Sequence, residues 1–595
     1  MIREYLSTLP EHLSDLALPG AGDRAVWGGL PETTRTALVR RGEEYLGYRW
    51  PVLTCGDYLS FSRTGDRTRY ESKCHPRQQA LCALALAECA EHQGRFLDDL
   101  IDGIWAVCEE SGWQLPAHNS YIRDTTPLPL PDSDRPVPDL FACETAANLS
   151  LIRALLEPEL EKAAPGLCRR IRRETELRVV SPYLRDHFWW MGSGDEPVNN
   201  WTSWCTQNVL LTVFTSGYAQ EVKHRVVDQA AYSLDCFLNG YGPDGCCEEG
   251  AEYYHHAGIT LWGALEVLDR VSGGHFTPLF QEEKLRNIAE YIVNVHVGGD
   301  YYLNFADCMP KAGLRGAGEA LFGRRTRAPR LQALAASDVS RRETRDLPDS
   351  KSLFERLLDA LCAQALAQPA PPAPSEPQVF YPSTGLWIAR DETWCVSLRA
   401  GHNGVSHGHC DAGSLIVYCK GQPLLIDVGV ETYTAKTFSP ERYSIWTMRS
   451  DWHNLPTIGG RVQGDGKQYA PAGVTLLQDG NVYRIELELS PAYPGGGFSY
   501  TRRVALDRNK RLTVVDHYEG SEPAVLSLMF AQRPVWRDGA LTTPAGSIRL
   551  VGAGEPAVEA IPVQDPHLRK CWPDTLYRAL VPVQGAVTLE FQPCP

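Results

Sequence analysis

The chain changes its hydrophobic pattern at a proline-rich segment, QPAPPAPSEPQ, which runs from Gln368 to Gln378. Proline fixes φ and lacks an amide donor, so this segment predicts a semi-rigid linker and not a helix. Up to residue 367, apolar residues recur at three- and four-residue steps, as in amphipathic helices. From residue 379 onward, short β-rich runs alternate with turns. The sequence therefore predicts a helical domain at 1–367 and a β domain at 379–595.

The individual runs support this division. One apolar stripe between residues 97 and 108 consists of Leu97, Leu100, Ile101, Ile104, Trp105 and Cys108. Similar stripes recur along the first domain, so many amphipathic helices in series are expected. The β-rich runs of the second domain are Leu386–Ala389, Trp394–Arg399, Ser414–Tyr418, Leu424–Asp427 and Leu512–His517. Their spacing predicts an antiparallel β-sandwich.

Composition and charge narrow the class of function. The 595 residues carry a formal charge of −15, which argues against nucleic-acid or membrane-surface binding, because phosphate binders usually present a basic field. The amino terminus lacks the apolar run of a secretory signal, and no stretch is long and apolar enough to cross a membrane. The 18 cysteines form no CxxC pairs of zinc-ribbon spacing. We therefore expect a cytoplasmic protein in a reducing compartment.

A cluster of aromatic residues and asparagines marks the first candidate site. Trp189, Trp190, Trp201 and Trp204 surround the adjacent pair Asn199 and Asn200, before an apolar helix predicted to begin near Val209. Aromatic faces stack on sugar rings, and asparagine amides donate to a carboxylate without adding charge. Alternatively, the tryptophans anchor the core and the asparagines cap the helix. Composition alone leaves both interpretations open.

The second candidate site is the segment PDGCCEEGAEYYHH, residues 243–256. Its glycines suit a tight loop that would bring Glu248 and Glu249 close to Tyr253, Tyr254, His255 and His256. A single tyrosine in such a loop is more often a packing residue than a catalyst. Tyrosine and histidine are nevertheless both competent in proton transfer, so their concentration here makes catalysis a serious alternative.

Histidines also gather in the β domain, in HNGVSHGHCDAG at 402–413 and in RSDWHN at 449–454. His409, Asp427 and His453 could converge as two nitrogens and one oxygen around a zinc ion. The spacing is only moderately specific, and a hydrogen-bonded cluster without metal remains an alternative. If His407 and His409 lie on a loop, their side chains can point in different directions, one toward metal and one toward substrate.

These motifs, in this order, resemble those of the heparinase II/III-like family of polysaccharide lyases, and the resemblance spans most of the chain. The motifs are NNW at 199–201, EGAEYYH at 249–255, HGHCDAGS at 407–414, LLIDVG at 424–429 and RSDWHN at 449–454. The resemblance implies an α+β multidomain protein in which an N-terminal (α/α) toroid precedes a C-terminal antiparallel β-sandwich. This agrees with the periodicity described above.

Carried over by position, the resemblance implies catalytic roles for Asn200, which would neutralise a uronate carboxylate, for Tyr254, which would transfer protons, and for His407. It implies that His409, Asp427 and His453 bind a structural metal ion, with zinc expected. The expected substrate-binding residues are Asn199, Trp201, His118, Tyr253, His255, Tyr433 and Arg449. Asn119 would line the cleft beside His118. Several relatives have a histidine where this chain has Trp201, so a single tyrosine acting as both base and acid is the simplest scheme.

The implied reaction is β-elimination from uronic-acid-containing oligosaccharides, such as glycosaminoglycan fragments. The expected partner is an acidic oligosaccharide, without nucleic acid or membrane, and a homodimer is left open. Two alternatives also remain open. One is a uronyl C5-epimerase, which returns the proton to the opposite face, and the other is a carbohydrate-binding protein of the same fold without turnover.

Overall fold

The computed structural model describes residues 1–123, 125–193, 198–342, 350–367 and 375–594. The chain divides into two compact units. Unit 1 comprises Met1–Tyr241, His255–Ala289 and Leu314–Ala373, and unit 2 comprises Gly242–Tyr254, Glu290–Gly313 and Pro374–Pro595. Two segments that precede the proline-rich stretch thus group with the C-terminal residues. Most of the predicted linker, residues 368–374, lies outside the described residues, so the predicted domain bounds remain a prediction.

The described residues before position 368 form fifteen α-helices. They are α1 (Arg24–Trp27), α2 (Glu32–Glu43), α3 (Cys55–Thr64), α4 (Thr68–Glu91), α5 (Leu97–Cys108), α6 (Leu140–Ala163), α7 (Leu167–Thr175), α8 (Ser181–Arg185), α9 (Asn200–Phe214), α10 (Gln220–Gly240), α11 (Thr260–Val271), α12 (Glu283–Val295), α13 (Ala317–Arg325), α14 (Pro329–Arg341) and α15 (Leu353–Leu366). Two π-helical turns, Glu176–Val180 and His255–Ile259, lie beside α7 and α11. None of the helices in the described ranges combines the length and apolar character that a membrane span needs.

Six of these helices form a closed ring within unit 1. Helix α4 packs against α6, α6 against α9, α9 against α11, α11 against α13, and α13 against α15. Helix α15 in turn contacts α4 and α6, which closes the series. Every residue of Ala80–Ala90 in α4 and of Thr202–Phe214 in α9 is buried, as expected for helices surrounded by other helices. The ring confirms the predicted (α/α) toroid.

The predicted helix bounds are correct for α5 and wrong for α9. Helix α5 spans the predicted stripe, although Trp105, assigned to its buried face, is 54% exposed. Helix α9 begins at Asn200, nine residues before the predicted start, and the Asn199 side chain caps it by accepting from the Trp201 amide at 3.1 Å. A search for apolar residues misses the first two turns, because Asn200, Thr202, Ser203, Thr206 and Gln207 are polar and yet buried. The capping alternative is thus correct for Asn199.

The described residues of unit 2 contain nineteen strands. They are β1 (His296–Gly298), β2 (Tyr301–Tyr302), β3 (Gln378–Tyr381), β4 (Leu386–Arg390), β5 (Trp394–Arg399), β6 (Leu415–Cys419), β7 (Gln422–Leu425), β8 (Pro456–Ile458), β9 (Ala472–Asp479), β10 (Val482–Glu488), β11 (Ser499–Asp507), β12 (Arg511–Glu519), β13 (Ala524–Phe530), β14 (Val535–Arg537), β15 (Ala540–Thr543), β16 (Gly546–Val551), β17 (Ala557–Pro562), β18 (Thr575–Val583) and β19 (Ala586–Pro593). Strands β1 and β2 form a separate hairpin, and the other strands build three antiparallel sheets.

The largest sheet has the strand order β14-β15-β16-β19-β12-β11-β10-β9, and the others have the orders β3-β4-β5-β6-β7 and β17-β18-β13-β8. All three sheets contribute to one hydrophobic core, for example through Val396 on β5, Val504 on β11 and Leu526 on β13. Inward and outward residues alternate along β11 and β12, as in a sheet with one buried face. The predicted antiparallel β domain after the helical half is confirmed.

Candidate active site

In unit 2, four side chains meet at the buried carboxylate of Asp307, in the loop after β2. His407 Nδ1 lies 2.9 Å from Asp307 Oδ2, and the Tyr433 hydroxyl donates to the same oxygen at 3.2 Å. Arg442 Nη2 donates to Asp307 Oδ1 at 2.6 Å, and His409 Nε2 lies 3.0 Å from that oxygen. Sequence analysis did not predict Asp307 or Arg442 as site residues.

The charged groups of this cluster stabilise one another's ionised forms. Burial alone would raise the pKa of Asp307, but hydrogen bonds with His407 and His409 and the charge of Arg442 hold it well below its usual range. Burial opposes a charged His407, yet its hydrogen bond to Asp307 and the nearby carboxylate of Glu249 raise the pKa of its imidazole. The cluster therefore favours an ionised carboxylate beside an imidazolium.

Two tyrosines extend the cluster. The Tyr253 hydroxyl lies 2.6 Å from the Tyr433 hydroxyl, and Tyr433 lies 3.4 Å from His407 Nδ1. The ring of Tyr253 also lies 4.9 Å from that of His407, between centroids, and its side chain is only half-buried. Tyr254 is 0% exposed and packs near Tyr291, with ring centroids 5.9 Å apart. Of the two adjacent tyrosines, Tyr253 joins the Asp307 cluster, and the catalytic assignment of Tyr254 remains a prediction.

The backbone at His407 is unusual for a residue with a side chain. His407 adopts a φ of +54° and Ala306 a φ of +61°, both in the left-handed region that favours glycine. The Asp307 amide donates to the His407 carbonyl at 3.0 Å, and the Arg442 guanidinium donates to the Gly408 carbonyl. Such conformations persist only where the surroundings enforce them, and they concentrate at functional sites.

A buried carboxyl group lies near the same loop. Ser406 Oγ donates to Glu249 Oε1 at 3.4 Å, and Glu249 is 3% exposed. Burial raises the pKa of Glu249 to about 6, although the charge of His407 opposes the rise. A carboxyl group with this pKa can exchange a proton near neutral pH.

The predicted metal ligands His409, Asp427 and His453 are brought together and are all buried. Each offers a ligand atom, and these atoms lie within 4.8 Å of one another. His453 Nδ1 lies 2.8 Å from Asp427 Oδ2. In the described residues, His409 Nδ1 and His453 Nε2 are buried without a hydrogen-bond partner, which is costly for a polar atom. Two imidazoles and a carboxylate form a donor set that zinc prefers, so these residues fit a zinc ion.

In unit 1, the rings of His118 and Trp201, both predicted to bind substrate, lie with their centroids 4.6 Å apart. His118 Nδ1 lies 2.8 Å from Asp139 Oδ2, which fixes the ring. Asn200, at the start of α9, is buried. Asn119 is also buried, but its amide donates to the carbonyls of Leu128 and Leu130 and thereby fixes a loop. His118 and Trp201 are therefore the more accessible members of this group.

Two residues predicted to bind substrate are engaged elsewhere. His255 Nδ1 lies 3.1 Å from Glu319 Oε1, and its Nε2 lies 2.9 Å from Glu355 Oε1, so neither nitrogen is left for a substrate. In unit 2, Arg449 forms a bidentate pair with Asp451, at 3.0 and 2.9 Å. Its guanidinium is not part of the Asp307 cluster.

In this chain a closed helical ring is followed by antiparallel sheets, which is the arrangement of toroid-and-sandwich proteins. The sheet-containing unit carries the Tyr–His–Asp cluster. Residues 373–535 match the heparinase II/III-like C-terminal family. Residues 373–535 thus form a domain of the heparinase II/III-like C-terminal type. A search of curated protein sequences gave no match.

Solved structures support the same fold over the whole chain. A crystal structure of heparinase III shares 14% identity over 99% of this chain and 88% of its own, with a TM-score of 0.64. A mutant of the heparan sulfate lyase HepC from Pedobacter heparinus shares 14% identity over 100% and 87%, with a TM-score of 0.58. A mutant of the chondroitin AC lyase from Streptomyces coelicolor A3 shares 12% identity over 97% and 83%, with a TM-score of 0.54. At such identities the similarity shows the fold.

Proposed function

We propose that the protein is a lyase that cleaves uronic-acid-containing oligosaccharides by β-elimination. The observation that carries the proposal is the hydrogen-bonded series from Tyr253 through Tyr433 to His407 and Asp307 in unit 2. The heparinase II/III-like C-terminal domain supports it, as does the fold shared with a heparan sulfate lyase and a chondroitin lyase.

The reaction requires three actions from the protein. A base takes the proton from C5, the electron pair left behind forms the C4–C5 double bond, and the C4–O bond breaks as its oxygen receives a proton. Donors must also neutralise the uronate carboxylate as negative charge develops on it, and removing one such donor typically costs a factor of about 100 to 1,000 in rate. We assign this role to the His407 imidazolium and to the Asn200 amide, the latter on the basis of its sequence motif.

We assign proton transfer to Tyr253 ahead of Tyr254, although the sequence resemblance points to Tyr254. The Tyr253 side chain is partly exposed, whereas Tyr254 is enclosed. Burial raises the pKa of Tyr253 well above its usual value, and the hydrogen bond with Tyr433 opposes that rise. A phenolate at Tyr253 would lie beside the charged ring of His407, and the Tyr433 hydroxyl would turn from Asp307 to donate to it. The same hydroxyl can return the proton to the leaving oxygen, so one residue serves both steps.

We also propose that His409, Asp427 and His453 hold a structural zinc ion. When bound, the ion would supply positive charge that fixes the loop carrying His407. Asp307 links the two groups, since its carboxylate contacts His409 on one oxygen and His407 on the other. Asp307 therefore orients the proposed catalytic histidine directly.

A panel of uronic-acid-containing oligosaccharides tests the proposal, with the new C4–C5 double bond followed by ultraviolet absorbance. We expect turnover by the wild type, a loss of about 100-fold or more in Tyr253→Phe, and near-normal turnover in Tyr254→Phe. Full loss in Tyr254→Phe alone would move the catalytic role to that residue. Absence of absorbance throughout the panel would overturn the lyase, and deuterium uptake at C5 without cleavage would indicate an epimerase.

A further inference from the structure

Two adjacent histidines of unit 1 have opposite environments. His255 is held between Glu319 and Glu355, which occupy both of its ring nitrogens. His256 is half-buried, and in the described part of the chain no hydrogen bond occupies either of its ring nitrogens. The nitrogens of His256 are therefore the ones that a ligand can reach.

The ring of His256 is fixed by stacking. It lies parallel to the ring of Trp204, with centroids 4.1 Å apart and an angle of 3° between the planes. Trp204 is itself oriented, because its indole nitrogen donates to Glu144 Oε2 at 3.2 Å. Trp204 also lies one helical turn after Asn200, so both side chains project from the same face of α9. The stack thus places the edge of the imidazole on the side of α9 that carries Asn200.

The backbone at His256 is anchored to α9. His256 belongs to the π-helical turn His255–Ile259, and such turns occur frequently at functional sites. Its carbonyl accepts a hydrogen bond from Thr260 Oγ1 at 2.6 Å and lies 3.3 Å from Ser203 Oγ. Ser203 Oγ also lies 3.2 Å from the carbonyl of Asn200. Two hydroxyl groups therefore hold the turn beside the first turn of α9.

The surroundings of His256 keep its ring uncharged. Burial, followed by the charge of His255, lowers the pKa of His256 to about 3. Glu355 opposes this shift, whereas Lys351 and Arg315 add to it. An uncharged imidazole offers one N–H donor and one acceptor, and it keeps both across the neutral pH range.

We infer that His256 is a substrate-contacting histidine of unit 1, which hydrogen-bonds to an acidic sugar through its ring edge while its face stacks on Trp204. The inference rests on the proposed function for the kind of substrate. His256 takes the role predicted for His255, whose nitrogens are occupied. It also supplies an imidazole close to Asn200, in a chain that has Trp201 at the position after Asn200.

Two substitutions separate hydrogen bonding from stacking. His256→Phe keeps a planar ring on Trp204 and removes both nitrogens, whereas His256→Gln restores a donor and an acceptor without the ring. His224→Phe on α10 is the matched control. We expect His256→Phe to raise the Kd for a uronic oligosaccharide, measured by calorimetry, and to lower kcat/KM, each by about 10- to 100-fold. His256→Gln should recover most of this loss, and the melting temperatures should stay unchanged.

The results also separate the inference from the lyase proposal. The inference is overturned if His256→Phe binds sugar like the wild type. It is also overturned if His256→Phe loses affinity only because its melting temperature is lowered, with the same lowering in His256→Gln. If the wild type binds sugar without forming a double bond, the lyase proposal fails while the Kd comparison still decides the role of His256. If the wild type neither binds nor cleaves any sugar of the panel, both fail.

Discussion

The hydroxyl groups of Tyr253 and Tyr433 lie 2.6 Å apart, although 180 positions separate the two residues in the sequence. At this distance one phenol donates a hydrogen bond to the other. Tyr433 also contacts Asp307 and His407, so it connects Tyr253 to the charged part of the cluster. The Tyr433 hydroxyl donates to Asp307, and it is in place to turn and donate to the Tyr253 phenolate once Tyr253 has given up its proton.

This connection predicts a non-additive effect of two substitutions on turnover. Tyr433→Phe should lower kcat by about 10- to 100-fold, because it removes the donor that stabilises the Tyr253 phenolate. The double variant Tyr253→Phe/Tyr433→Phe should be no slower than Tyr253→Phe alone, since Tyr433 acts through Tyr253. Initial rates of double-bond absorbance measure both effects. Tyr577→Phe on β18 is the control, and effects that simply multiply would contradict the coupling.

A second prediction concerns the metal. The wild type should retain about one zinc ion per chain after dialysis, whereas His409→Ala and His453→Ala should retain little, because each loses one of three protein ligands. Metal content is measured by mass spectrometry, and melting temperature is measured with and without a chelator. His517→Ala, on the exposed face of β12, should behave as the wild type. A melting temperature that changes neither with the chelator nor with substitution of His409 or His453 would contradict a structural metal.

The sequence predicted the fold class well because periodicity reports which faces of an element are buried. It failed at the start of α9, where Thr202 and Ser203 are polar and yet buried. Their hydroxyls find partners inside the protein, for example Thr202 Oγ1, which donates to the Trp190 carbonyl at 2.6 Å. Burial of this kind depends on tertiary hydrogen bonds, which the local pattern does not contain.

The candidate site was predictable only where motifs marked it. The proposed metal ligands and Tyr433 followed from the resemblance. Asp307, by contrast, stands in NFADCMP and meets its partners from residue 407 onward only in the folded chain. The choice between His255 and His256 also needed the structure. Adjacent side chains in a helical turn point in different directions. A difference of one position along the chain therefore determines which of the two rings meets Glu319 and Glu355.

The ion triad at His255 predicts a pH dependence of stability. Burial opposes the charge, but Glu355 and Glu319 raise the pKa of His255 to about 10, from an unfolded value of about 6.5. A raised pKa stabilises the folded state fully below about pH 6.5, and this contribution disappears as the pH rises through about 10. His255→Gln should therefore melt lower than the wild type at pH 6.5, and the difference should shrink toward pH 10. A difference that stays constant over this range would contradict the charged triad.

Neighbouring arginines on β11 provide an internal comparison of buried and exposed ion pairs. Arg502 is fully buried and forms a bidentate pair with Asp516, with both contacts between 2.7 and 2.8 Å. Its remaining nitrogen donates to the carbonyls of Gly413 and Asn454, beside the proposed metal ligands. Arg503 points to the other face, where it is 49% exposed and pairs with Glu486.

We therefore expect very different costs for the same substitution at adjacent positions. Arg502→Met should lower the free energy of unfolding of unit 2 by about 3–5 kcal/mol, because it leaves the Asp516 carboxylate buried without its partner. Arg503→Met should cost no more than about 1 kcal/mol, since its pair with Glu486 is solvated. Denaturant unfolding monitored by tryptophan fluorescence measures both. Because Arg502 holds the carbonyls of Gly413 and Asn454, Arg502→Met should also bind zinc more weakly, and equal losses in the two variants would contradict this account.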